Sequence, residues 1–65
     1  MTKTVFTLIK NYDYVELLTL PFLYKKPNGS QLRIDGKIYV LEKITDDIGT
    51  DLSVTRTIYV YEHKK

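Results

Sequence analysis

Three groupings of residues carry the types that chemistry needs: the only histidine, His63; the aspartates Asp46, Asp47 and Asp51 around a glycine; and Gly29-Ser30, close behind Lys25 and Lys26. A histidine base works with an orienting partner inside a pocket, and an outward position at the end of an alternating segment offers neither. A calcium loop of the EF-hand type needs acids at alternate positions and a bidentate glutamate at its twelfth place; counted from Asp46, that place is Thr57. The glycine–serine segment lacks the second glycine and the adjacent Lys-Ser/Thr pair of a phosphate-binding loop. Neither Ser30 nor Ser53 lies in a Gly-x-Ser-x-Gly turn. With no cysteine there is no thiolate nucleophile and no cysteine-ligated zinc. The expectation is a chain with no catalytic residue, no metal and no cofactor, and not an enzyme.

The six tyrosines are a different kind of resource. Tyrosine combines a large, rigid contact area with a polar tip, which is why it is enriched at protein interfaces. Tyr59 and Tyr61 are spaced to share one face of a strand, and Tyr39 is expected on the same sheet surface. The reading that follows is a protein-binding platform anchored on Tyr39, Tyr59 and Tyr61, with Lys25, Lys26 and Arg33 as its polar rim. The same phenols could stack single-stranded bases while Arg33, Lys37, Lys64 and Lys65 hold phosphates. Against this second reading stand a net charge of only +2 and no RNP-like or cold-shock-like aromatic motif. The plainest alternative is that the tyrosines cover the far side of a curled sheet with their hydroxyls in water.

Strands must position these residues. From Leu52 to His63 apolar and polar residues alternate with a period of two, offering Leu52, Val54, Ile58 and Val60 to a core and Ser53, Thr55, Thr57, Tyr59, Tyr61 and His63 to the opposite face. Arg56 is the one misfit on the apolar side and predicts a bulge or an edge. Asp35-Gly36 between Gln31–Ile34 and Lys37–Ile44 is a strong hairpin signal. A two-residue loop would pair Leu32 with Tyr39. A longer loop with Gly36 at a bulge would gather Leu32, Ile38 and Val40 on one face, and is favoured for that reason.

Thr4 to Lys10 reads as a strand with both faces apolar, hence one that is central or wrapped into a barrel. Asn11-Tyr12-Asp13 serves as a turn. Residues 13–20 read as a strand, with a short helical turn as the alternative because Asp13 and Glu16 resemble a capping box and Pro21 would stop a helix. Pro27-Asn28-Gly29-Ser30 is a turn, and residues 46–51 form the last loop. The expected fold is all-β: a small antiparallel five-stranded meander over residues 1–65, one domain, curled into an SH3-like or OB-like barrel.

The chain has 65 residues, of which 43% are hydrophobic. That suffices for a compact fold, although a domain this small buries only about 60% of its unfolded surface. Basic residues gather between positions 24 and 37 and acidic ones between 42 and 51. The start of the sequence lacks the apolar core of a signal peptide, and the longest apolar run contains Glu16 and Pro21, so a cytoplasmic, soluble protein is expected. Lysine, isoleucine and tyrosine are plentiful and alanine is absent, usage that points to an A+T-rich genome such as that of a low-G+C bacterium or its phage. Taken together, these features predict a non-enzymatic module acting on another protein, such as a phage-encoded inhibitor of a host or defence protein or a small virion component. Homodimerisation through a sheet face or edge strand is the accompanying expectation, with no membrane partner.

Overall fold

A computed structural model describes residues 2–63. The fold is all-β, with no helix among the described residues. Five strands, β1 (Thr2–Lys10), β2 (Asp13–Leu20), β3 (Gln31–Ile34), β4 (Lys37–Ile48) and β5 (Val54–Glu62), form one sheet in the order β2-β1-β5-β4-β3 that curls into a half-barrel. Residues 13–20 are therefore strand, and the helical alternative falls away. Two local antiparallel units make up the sheet, the β1–β2 hairpin and the β3–β4–β5 meander. They are joined by a parallel ladder between β1 and β5, running from Thr2 opposite Val54 to Leu8 opposite Val60. The sheet is thus mixed, where an antiparallel meander was expected. Local alternation and turns specify the two units, but the β1–β5 pairing joins residues about 50 positions apart and leaves no local mark.

Apolar residues of alternate parity converge on the concave side. Phe6, Leu32, Tyr39, Leu41, Ile58 and Val60 are buried there, with Leu8, Leu17, Leu18, Leu20, Tyr24, Ile34 and Ile44 packed around them. Two bulges keep the faces in phase. One in β2, at Leu17, sits opposite Phe6 and Thr7; the other, at Glu42 in β4, keeps both Leu41 and Ile44 on the concave face. The ten residues between β2 and β3 cross that face as a strap. Thr4, fully buried, donates its hydroxyl to the Phe22 carbonyl (2.7 Å) and accepts from the Tyr24 amide (2.9 Å). The Tyr24 ring meets Phe6 edge-on at 5.5 Å.

Four local expectations need correction. Asp35 and Gly36 both have positive φ (51° and 83°), as a two-residue type I′ turn requires, so Leu32 pairs with Tyr39 and both side chains enter the core. Tyr39 is 5% exposed. Preference for a purely aliphatic face had favoured the longer loop; the observed register instead uses the tyrosine ring as core volume.

Secondly, β4 continues to Ile48, so Asp46 and Asp47 are strand residues rather than loop. Thirdly, β5 begins at Val54: Leu52 has φ 69° and is 84% exposed, because the turn before it closes through the Gly49 amide on the Ser53 carbonyl and the Leu52 amide on the Gly49 carbonyl. Lastly, Arg56 marks neither bulge nor edge, since β5 is flanked by β1 and β4. Its guanidinium lies opposite Asp46 and grips both carboxylate oxygens (2.7 and 3.0 Å), while its third nitrogen donates to the Tyr24 carbonyl at 3.1 Å. A polar residue of core parity is tolerated there because it ties the strap to the sheet.

Candidate interaction surface

The strands that bury Ile58 and Val60 must turn their intervening residues outward, and among the described residues no second layer covers that convex side. Pairing lays these residues out in rows. Glu16, Thr7, Tyr59 and Lys43 form one row across β2, β1, β5 and β4. Two residues along, Tyr14 opposes Ile9 and Tyr61 opposes Val40. In the other direction Thr19, Val5, Thr57 and Thr45 follow. Val5, Thr7, Ile9, Val40, Thr57 and Tyr59 are half-buried by their neighbours, while Tyr14 and Tyr61 are exposed. The result is an apolar and aromatic strip along β1 and β5.

Tyr59 is the best-held ring on this face. Tyr14 meets it edge-on at 5.7 Å between centroids, and the Lys43 ammonium lies 4.9 Å from the ring centre. Such contacts restrict the rotamers of a half-exposed tyrosine, so less freedom is lost when it meets a partner. Tyr61, 42% exposed, stands beside it, two residues along the same strand.

Of the six residues expected to form the site, Tyr59 and Tyr61 share this face. Tyr39 does not: it belongs to the opposite side of the sheet and is buried, so its assignment as an anchor is withdrawn. Lys25 lies on the concave side, near enough to Asp46 to help hold that carboxyl below its ordinary value. Lys26 and Arg33 border a second feature, the gap between the unpaired edges of β2 and β3. This gap is an open cleft of about 320 Å³ over Phe6, Leu18, Leu20, Leu32 and Ile34. Lys64 and Lys65 lie outside the described residues. Sequence reasoning missed Tyr14, Ile9, Val40 and Lys43; the signal available was β1, whose second apolar face of Val5 and Ile9 had no partner to cover it.

The groups considered for chemistry do not converge. Arg56, chiefly by hydrogen bonding, lowers the Asp46 pKa from its ordinary value, and the same pair raises that of Arg56. Asp51 is lowered mainly by the Ser53 hydroxyl, which donates to it at 2.7 Å. Both carboxylates are engaged in holding local structure. His63 lies at the mouth of the half-barrel, a broad cleft of about 1010 Å³ that also touches Lys10, Lys37, Tyr39 and Glu62, and its amide donates to the Ile38 carbonyl. No group of three metal-ligating side chains is assembled among the described residues, and no helix there is long and apolar enough to cross a membrane. Comparison with known families, curated proteins and solved structures finds no match to this chain.

Proposed function

We propose that this protein is a non-enzymatic binding module that acts by protein–protein contact through the convex face of its sheet, with Tyr59 and Tyr61 as anchors. One observation carries the reading: a single-layer sheet leaves Ile9, Val40, Tyr59, Tyr61 and Tyr14 contiguous and uncovered on the side away from the core. Contiguous exposed apolar and aromatic surface rimmed by charges is the usual mark of an interaction site. Its rim is Glu16 and Lys43 rather than the Lys25, Lys26 and Arg33 set expected from sequence. Residue usage of the kind an A+T-rich genome produces makes a phage-encoded inhibitor of a host or defence protein, acting in the cytoplasm, one specific case of this function, and a small virion component another.

Capture from source-cell extract tests it, comparing the wild-type chain with Tyr59→Ala/Tyr61→Ala after circular dichroism confirms that both are folded. A partner retained equally by the double variant refutes the tyrosine face as the contact surface. The single-stranded nucleic-acid reading draws support from the lysine over the Tyr59 ring, but the same face carries Glu16 and Asp47, and the described residues form no basic stripe on it. Anisotropy titration across salt distinguishes it, because phosphate contacts impose a steep salt dependence.

A further inference from the structure

We propose that the partner seated on the convex face is a second copy of this chain, related by a twofold axis that runs along the strands between β1 and β5. This rests on the reading of that face as a protein-contact surface and identifies the occupant. In the plane between two facing sheets, such an axis lays β1 over the partner's β5 and β2 over the partner's β4, and keeps every row in register with itself.

The rows are self-complementary under that operation. In the central row, running Glu16, Thr7, Tyr59, Lys43, the acid at one end meets the partner's Lys43, and the small Thr7 meets the large Tyr59 of the partner. Both contacts are then repeated by symmetry, as an isologous interface demands. In the next row Ile9 faces the partner's Tyr61 and Tyr14 faces the partner's Val40; in the row below, Val5 faces the partner's Thr57. Lys3, the cation that β1 places on this face, meets the partner's Thr55, so these rows oppose no like charges.

Convexity suits this arrangement. Two curved sheets touch most closely along β1 and β5, where the face carries threonine, valine, isoleucine and tyrosine. They diverge over β2 and β4, where Glu16 and Lys43 have the length to bridge the gap. Within one chain these two residues are three strand spacings apart, roughly 14 Å, so neither completes a pair with the other at home. Glu16 instead accepts a long hydrogen bond from Thr19 (3.3 Å), and Lys43 rests on Tyr59.

Sedimentation velocity on the purified full chain over a dilution series tests the proposal. The expected result is a reversible dimer with a dissociation constant on the order of 10 µM, the strength appropriate to a contact below about 1,200 Å². Glu16→Lys and Lys43→Glu, both at exposed positions, each oppose two pairs of like charges across the axis and should weaken self-association by about tenfold or more. Mixing the two variants in equal amounts restores both charge pairs in a heterodimer, with affinity within about threefold of wild type. A wild-type chain that stays monomeric up to about 1 mM overturns the proposal. So does a mixture no tighter than either variant alone. Neither result bears on whether the same face captures a different protein, which the tyrosine double variant decides separately.

Discussion

Replacing Thr4 with valine removes one hydroxyl and changes little else, and its consequence follows from the geometry. The side chain is fully buried, and its oxygen both donates to the Phe22 carbonyl and accepts from the Tyr24 amide. Valine has nearly the same shape, so no cavity forms, but the Phe22 carbonyl and the Tyr24 amide, both in part-buried hydrogen bonds, lose their partner. Leaving a buried backbone group unsatisfied costs about 1–3 kcal/mol. Partial relaxation of the strap and the added methyl recover about 1 kcal/mol, so the net loss should be about 2 kcal/mol. A domain of this size has a total stability of roughly 3–10 kcal/mol. The loss is therefore large, and it lowers the melting temperature by roughly 8–16 °C.

Urea unfolding followed by far-ultraviolet circular dichroism measures it, with Thr4→Ser as the control. Serine keeps the hydroxyl and loses one methyl, so it should cost only about 1 kcal/mol. Valine as stable as wild type, or more stable than serine, would refute the role given to Thr4 in anchoring the strap.

The remaining predictions separate core from surface and turn from strand. Tyr39→Ala should destabilise by about 3 kcal/mol because it opens a cavity in the core, whereas Tyr61→Ala should stay within about 1 kcal/mol; chemical denaturation of both checks the β3–β4 register. Leu52→Gly should stabilise by about 0.5–1 kcal/mol, since leucine at φ 69° carries left-handed strain and is 84% exposed, and the thermal midpoint reads the gain. Asp46 and Asp51 are both held below the ordinary aspartate pKa of 3.8 by hydrogen bonds. Their contribution is complete above the unfolded pKa and disappears as pH falls through the lowered folded values. Melting temperature should therefore fall below about pH 4, and Asp46→Asn should lower the neutral-pH midpoint while flattening that acid limb.

What was legible in the sequence was local. Alternation from Leu52 to His63 marks β5, two residues early, and its buried Ile58 and Val60; the two apolar faces of β1 mark a strand that is central or wrapped into a barrel, and Asp35-Gly36 marks the second hairpin. Register across that hairpin was not legible, because the choice turned on whether a tyrosine counts as core or surface. Tyr39 is amphipathic enough for either, and only the positive φ of both turn residues decides. From sequence Arg56 points to a bulge or an edge, because its partner, Asp46, falls in a segment that reads as loop. Once β4 is seen to run on to Ile48, the two lie opposite one another. The parallel β1–β5 ladder was invisible for the reason that any long-range pairing is: no local propensity encodes which two strands meet. Of the candidate site, Tyr59 and Tyr61 could be placed from parity alone. Tyr14 and Lys43 reach Tyr59 through β2 and β4, whose positions relative to β5 depend on that ladder and on the Glu42 bulge.

Protein contact through the convex face can be tested by site-specific crosslinking. Placing a photo-crosslinking phenylalanine analogue at Tyr61, on that face, and separately at Tyr12, at the fully exposed tip of the β1–β2 turn, tests this without knowledge of the partner. Both positions tolerate the substitution because neither side chain is in the core. The expected result is a discrete protein adduct from position 61, a dimer of the chain in purified material, and none from position 12. Equal crosslinking from both positions, or from position 12 alone, would contradict it.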